Sequence, residues 1–393
     1  MRVLTRPNLG GPTRQAIALW HAHRALGVPT LLVTGAVGPD EAMLSPADHG
    51  VPLLGPGEVL RFGPEATGWV VVPTLGRGLA PWRDFRAGRT LRALVEAHCP
   101  DVIHTHTSKA GWLGRTAARG RAPVLAHTFH GHVLADYFGS LFSSALTRLE
   151  ARLARRTDLL FAVSGSCADE LARAHIAPRS RFTVVPPAVP VPAAVSRGEA
   201  RDALGIPRAD FRTVCIGRLV RVKRVADFVA AVALCDGVAG DVFGDGPLRA
   251  EIAAAAERDT GGRVLCRGAN ESAASLLAAY DALVLPSIRE GFPLVAVEAF
   301  AAGVPVVGYD VPGVRDALED GRGVLVPVSA GPRGLAAAIQ RLRADPQLAA
   351  ACVGAGRASV GAFAPAVVGA RLLDAYRSIA IGKAAAAAGG SAV

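Results

Sequence analysis

Short apolar runs alternate with segments of helical length along the whole chain. In the first half the runs cover 2–5, 29–34, 69–72, 102–104, 124–127, 159–163 and 182–185. In the second half they cover 213–216, 241–243, 264–266, 282–285, 305–307 and 324–326. Runs this short, apolar at successive positions, suit strands buried on both faces, which is the condition of a parallel sheet. Parallel strands need a crossover, and the intervening segments are long enough to supply helices, giving βαβ units. The chain of 393 residues is too long for one ordinary core and suits two domains of under about 200 residues each. The fold class expected is therefore α/β, with two doubly wound Rossmann-like domains facing across a cleft.

The boundary is marked by Val184-Val185-Pro186-Pro187-Ala188-Val189-Pro190-Val191-Pro192. Four prolines so close exclude helix and central strand and make a stiff linker. An N-terminal domain over 1–187 and a C-terminal domain over 188–364 follow. A helix is expected over 365–380, and the Ala/Gly-rich tail 383–393 reads as disordered.

Composition removes several function classes. Apolar residues make up 51% and aromatics 5%, a globular balance. The net charge of +10 calls for an anionic partner: nucleic acid, a membrane surface or a polyanionic small substrate. There is no long Lys/Arg block and no aromatic ladder for stacking bases, so nucleic acid is not expected. The six cysteines are widely spaced with no CxxC pair, which fits reduced thiols in a cytoplasmic protein rather than zinc or disulfides. No cleavable signal pattern follows Met1, and no apolar run reaches the roughly 18 residues that span a bilayer. Membrane contact, if made, is peripheral, at the inner face of the cell membrane. One candidate surface is the basic face Arg148, Arg152, Arg155 and Arg156, opposite the stripe Leu146, Leu149 and Leu153. Such a helix suits an anionic bilayer or simply a solvated exterior.

Ligands of doubly wound sheets bind beyond the carboxyl ends of the strands, so the loops there matter most. Three follow one pattern, a Gly-containing turn with Pro at the expected first helical position: Gly10-Gly11-Pro12, Gly244-Asp245-Gly246-Pro247 and Glu290-Gly291-Phe292-Pro293. Glycine allows close approach of backbone to ligand, and a helix start offers unpaired N–H groups to an anion. The dinucleotide fingerprint is not met, because Arg249 stands where its third glycine would sit. Arg218 and Lys223 follow the first strand of the second half; a guanidinium and an ammonium there can hold a diphosphate. Glu290 and Glu298, near one helix start, can accept hydrogen bonds from sugar hydroxyls. No Asp-x-Asp occurs in the chain, so no metal is expected and the charge of a departing diphosphate must be met by cations and helix starts. In the first half His104 and His106 end a strand, and His130 and His132 end the next.

In order along the chain, Gly217-Arg218-x4-Lys223, Gly244-Asp245-Gly246-Pro247, Pro286-Ser287-x2-Glu290-Gly291-Phe292-Pro293-x4-Glu298-Ala299 and Gly303-x-Pro305-Val306-Val307 resemble glycosyltransferase family 4. Gly10-Gly11, 104–111 and Thr128-Phe129-His130-Gly131-His132 resemble its bacterial surface-polysaccharide branch. The likeness runs from about residue 3 to 326, and the Glu-x7-Glu spacing is its most specific mark. It implies a GT-B fold and a retaining, metal-independent transfer from a nucleotide diphosphate sugar, with uridine diphosphate as the expected carrier. It implies that Arg218 and Lys223 hold the diphosphate, that Glu298 binds the ribose and Glu290 a sugar hydroxyl. Backbone of Gly11, Gly246, Gly291, Phe292, Pro293 and Leu294 would line the donor, and His130 would lie over the sugar, with His132 the second choice. His106, Lys109 and His132 are acceptor-side candidates for a lipid-linked or cell-envelope glycan. The helix 365–380 would return to the first domain. No cofactor is implied beyond the nucleotide sugar. Rival readings are a sugar-nucleotide epimerase of the same fold and a non-catalytic sugar-binding protein.

Overall fold

The structure is a computed structural model, and it describes residues 1–8, 10–38, 44–76, 78–120, 124–131, 140–193 and 195–389. The chain divides into two compact units, one of Met1–Pro190 with Ala364–Val393, the other of Val191–Phe363.

The first unit holds eight strands: β1 (Arg2–Leu4), β2 (Leu31–Thr34), β3 (Leu53–Leu54), β4 (Gly68–Val71), β5 (Val102–His106), β6 (Val124–Phe129), β7 (Leu159–Ala162) and β8 (Phe182–Val184). They form one parallel sheet in the order β3-β4-β2-β1-β5-β6-β7-β8. Burial on both faces explains the unbroken apolar runs. In β2, Leu31 and Val33 join the cluster under the helix Pro81–His98, while Leu32 points the other way to Trp20 and Trp69. Only β3 escaped the sequence reading. It is a two-residue edge strand directly after Pro52, too short to carry a pattern.

The second unit holds β9 (Phe211–Ile216), β10 (Val238–Phe243), β11 (Val264–Gly268), β12 (Ala282–Leu285), β13 (Val306–Tyr309) and β14 (Gly323–Val326). Their order is β11-β10-β9-β12-β13-β14, again all parallel. One apolar cluster built on Phe228, Phe300, Leu283 and Val307 fills this unit.

Strand order reverses beside β1 in the first sheet and beside β9 in the second. At such a switch point the loops leaving neighbouring strands diverge to opposite faces and open a crevice. The loops after β1 and β5 carry Gly10-Gly11 and Lys109; those after β9 and β12 carry Arg218 and Glu290.

The last helix, Pro365–Gly389, packs in the first unit, where Val368, Leu372, Leu373 and Tyr376 meet Ala18, Leu19 and Phe161. It overturns the expectation of a disordered tail for 383–389. Lys383 is followed by a run of alanines, the residue with the least cost in a helix, and the helix carries on through them.

Candidate active site

In the second unit the site is assembled from the loops after β9, β10 and β12. The β9 loop turns through Gly217 and Arg218 into a short 3-10 helix, Arg221–Lys223. Gly217 N–H donates to Phe243 O at 2.9 Å and Leu219 N–H to Asp245 O at 2.9 Å, so the β9 and β10 loops run side by side. That contact dictates the glycines. Gly244 and Gly246 have φ of 151° and 153°, and a Cβ on them would lie 1.9 Å from Gly217 O and 2.6 Å from Leu219 O. Pro247 precedes the cap, Leu248, of the helix Arg249–Thr260 and is not its first residue. Of the three prolines read as helix openers, only Pro12 lies inside a first turn, and Pro293 is itself the cap of the helix Leu294–Ala302.

Lys223 and Glu290, apart by most of the sheet's sequence, form an ion pair, with side chains 24% and 12% exposed. Ile288 N–H donates to Val222 O at 3.0 Å and fastens the β12 loop to the β9 loop. Arg218 differs: it is exposed, and no carboxylate pairs with it among the described residues. Glu298 lies one helical turn beyond Leu294 and is 5% exposed, within the buried face of its helix. Phe292 packs its ring 5.3 Å from Phe363 and holds the loop down. Gly313, which sequence reasoning missed, fixes the loop from behind. Its φ is 81°, and a Cβ there would meet Glu290 O at 2.4 Å and Gly291 O at 2.7 Å. The helix start at Leu294 therefore stands beside Lys223, Glu290 and Gly291, with its N-terminal dipole end unopposed by any acidic residue in the first turn.

In the first unit, Gly10 caps the helix Gly11–Ala25 without a side-chain hydrogen bond, and no acidic residue lies in the first turn. His106, at the end of β5, and His130, just after β6, are neighbours: His106 Nδ1 lies 3.0 Å from His130 Nε2. Both rings are kept neutral. Burial, then His130, then Arg2 push His106 well below its ordinary value, and burial lowers His130 to about 4. His104 stacks on His106 at 4.3 Å and bonds Thr128 and Tyr376. Arg2 and Tyr376 also belong to this cluster and were not singled out from the sequence. An arginine inside an otherwise apolar strand was the available signal.

Lys109 is engaged elsewhere. Its ammonium forms a buried ion pair with Asp84, and Asp84 also accepts from Ala80 N–H at 3.1 Å. This pair anchors the first turn of the helix Pro81–His98. His132 lies outside the described residues. On the helix Ser140–Ala154, Arg148 and Arg152 are exposed, as both readings of its basic face require.

Two doubly wound parallel sheets, each with polar groups collected at its switch point, define the GT-B class of α/β fold. Anabaena HepE, solved in complex with UDP, aligns over 96% of this chain and 99% of its own with a TM-score of 0.73 at 19% identity. The sequence comparisons go further. Residues 9–191 match the model for Glycosyltransferase Family 4, and residues 210–345 match that for Glycosyl transferases group 1. The D-inositol 3-phosphate glycosyltransferase of Thermobispora bispora is 33% identical over 316 residues, 72% of each chain. The UDP-Gal:alpha-D-GlcNAc-diphosphoundecaprenol alpha-1,3-galactosyltransferase of Escherichia coli is 29% identical over 259 residues, 62% of this chain. The match covers 66% of that relative's length, just under two thirds. The chain belongs to glycosyltransferase family 4.

Proposed function

We propose that the protein transfers a sugar, with retention, from a uridine diphosphate sugar to a lipid-linked or cell-envelope glycan, without a metal ion. The observation that carries this reading is the grouping of exposed Arg218, the Lys223–Glu290 pair and the helix start at Leu294 around one switch point. Cations and oriented N–H groups in such a place take up negative charge as it develops on a leaving group. Arg218 and Lys223 hold the diphosphate, with backbone of Gly246, Gly291, Phe292 and Leu294 beside it. Glu298 receives the ribose hydroxyls. Glu290 accepts from a sugar hydroxyl while Lys223 turns to phosphate, which exchanges one ion pair for another. His130 contacts the sugar. The acceptor hydroxyl attacks the anomeric carbon from the face the diphosphate leaves, and a leaving phosphate oxygen takes its proton. The UDP-Gal donor and diphosphoundecaprenol-linked acceptor that name the Escherichia coli relative, and the UDP bound by Anabaena HepE, support the choice of carrier and acceptor class.

We place the work at the inner face of the membrane, and the surface proposed for contact is on the helix Pro81–His98. Leu79, Trp82 and Phe85 are 55%, 70% and 55% exposed, and the Trp82 and Phe85 rings stack at 5.8 Å. Arg83, Arg86 and Arg89 surround them, all exposed. Aromatic rings ringed by cations suit the interface of an anionic bilayer. No single helix among the described residues is long and apolar enough to cross a membrane.

The test is a panel of nucleotide sugars incubated with and without polyprenyl-diphosphate-linked acceptor. Release of nucleoside diphosphate only when acceptor is present supports transfer. A new sugar isomer without acceptor points to an epimerase, and binding with no turnover to a receptor. Activity should persist in EDTA; a loss restored by added metal would overturn metal independence.

A further inference from the structure

Arg2 stands at the start of β1 with 3% of its surface exposed, and among the described residues no carboxylate pairs with it. Its guanidinium touches neutral groups instead. Nη1 lies 3.2 Å from His104 Nδ1 and 3.3 Å from His106 Nε2, and Nη2 lies 3.4 Å from Tyr376 Oη. A buried cation without a counter-charge is costly, and an apolar side chain would serve the sheet better. The arginine therefore calls for a reason beyond packing.

The reason lies in its chemistry. A guanidinium donates hydrogen bonds and accepts none. The two hydrogens of Nη1 serve the two histidines. His106 Nε2 must accept, so the proton of that neutral ring is on Nδ1. That N–H donates across 3.0 Å to His130 Nε2. His130 Nε2 is thus an acceptor as well, and the proton of the His130 ring is on Nδ1. The second branch closes consistently. His104 Nδ1 shares its one lone pair between Arg2 at 3.2 Å and the Tyr376 hydroxyl at 2.5 Å, and its Nε2–H donates to Thr128 Oγ1 at 2.7 Å. One assignment of hydrogens satisfies every contact. The reverse assignment would set an N–H of His106 against the guanidinium.

We propose that Arg2 is a positioning residue: it sets the direction of a buried hydrogen-bond chain, Arg2 to His106 to His130, that presents His130 as a neutral Nδ1–H donor. This deepens the transfer reading above and rests on it for what His130 meets. A ring held so donates to a sugar oxygen. It has no free lone pair, since Nε2 receives His106 and Nδ1 carries the proton. His130 is then not the base that takes the acceptor's proton, which is the role left to the leaving phosphate.

The experiment is long-range proton–nitrogen correlation on the full chain labelled with nitrogen-15 histidine at neutral pH, with the His130 signals assigned by their loss in His130→Asn. The expected result is a protonated Nδ1 and a bare Nε2 on His130, and the reverse pattern on the unmodified protein overturns the proposal. In Arg2→Met, checked for folding by circular dichroism, the His130 pattern moves toward a mixture of tautomers. A folded Arg2→Met whose His130 signals are unchanged also overturns it. If Arg2→Met does not fold, His106→Leu cuts the same chain one link on and is judged by the same criterion. Turnover of His130→Ala, with whichever nucleotide sugar the panel identifies, separates the two claims. Normal turnover alongside the expected tautomer would leave the chain of hydrogen bonds standing and remove His130 from the sugar.

Discussion

The two switch points share a topology and differ in how they hold charge. Beside β9 the cations are on loops and within reach of solvent: Arg218 is exposed, and Lys223 is 24% exposed with its carboxylate partner. Beside β1 and β5 the charges are internal. Lys109 and Asp84 are 8% and 5% exposed, Arg115 and Glu150 are 1% and 7% exposed, and Arg2 is surrounded by neutral rings. A buried, paired charge turns to a ligand only by abandoning its partner in the interior; a charge on a loop within reach of solvent turns at smaller cost. The difference teaches that a switch point with cations at the surface and one with cations in the interior can both be built on an all-parallel doubly wound sheet. Only the burial of the cations changes.

The sharpest way to break this contrast is to exchange the outcomes expected of two of its cations, Lys109 and Arg218. Lys109→Ala leaves Asp84 buried without its partner, and such a break costs about 3–5 kcal/mol of stability. Urea unfolding should show that loss while turnover of the surviving folded protein stays normal. A stable Lys109→Ala protein with a crippled reaction would return Lys109 to the acceptor side. Arg218→Ala is expected to behave in the opposite way. Melting should be unchanged, because no partner is abandoned, and kcat should fall by about 100- to 1000-fold, the usual effect of removing one donor from a site of developing charge. Near-normal turnover in Arg218→Ala would end the charge argument.

Every histidine lowered by burial lies in the first unit. Burial, the largest cause, holds His104, His106 and His127 well below their ordinary value, and His130 falls to about 4. The unfolded chain, with histidines near 6.5, binds more protons below that pH, so stability falls as pH drops from 6.5 toward 4 and is unaffected by these rings above it. By about pH 5.5 each ring that stays neutral costs about 1.4 kcal/mol relative to the unfolded chain, so the four together cost on the order of 5 kcal/mol. Melting followed by fluorescence at fixed ionic strength checks this; a flat profile down to pH 5 would mean the rings are not buried and neutral. Glu290→Gln is a smaller perturbation. It keeps the shape of the loop and frees Lys223, so kcat should fall about tenfold and affinity for free UDP should hold or rise. Weaker UDP binding, read by calorimetry, would show that the ion pair shapes the diphosphate site rather than yielding to it.

How much of this was legible beforehand depended on sequence distance. Strands announced themselves because both faces are buried, and the loops after β9 and β12 because Gly, Pro, Arg and Glu stand out against apolar runs. What hid were pairings. Asp84 with Lys109 and Gly313 behind Glu290 are visible only once helices and loops are packed. Arg2 and Tyr376 meet across 374 positions, and a tyrosine on a terminal helix gives no hint of a histidine on β5. Lys109 shows what position alone leaves out: its pairing with Asp84 appears only once the helices are packed. The glycines of Gly244-x-Gly246 were noticed for a ligand's sake, yet the backbone of Gly217 and Leu219 already requires them.

The smallest effect expected concerns the outer surface of the first unit, where the rule that charge is internal is relaxed. Arg83, Arg86 and Arg89 are exposed beside Trp82 and Phe85, on a helix whose first turn is pinned by the Lys109–Asp84 pair. A pinned turn keeps the two rings presented without further ordering when they meet a surface. Replacing both by serine removes apolar area that a bilayer would only partly cover, so the change is worth about 1 kcal/mol, or roughly fivefold in partition onto vesicles containing phosphatidylglycerol. Arg86→Glu with Arg89→Glu should weaken the same binding and make it insensitive to salt, since the electrostatic part scales with cations near the surface. Co-sedimentation with anionic and with neutral vesicles measures both. If the serine variant binds anionic vesicles as the unmodified protein does, while reversal of Arg148 and Arg152 abolishes binding, the membrane face is the helix Ser140–Ala154 instead.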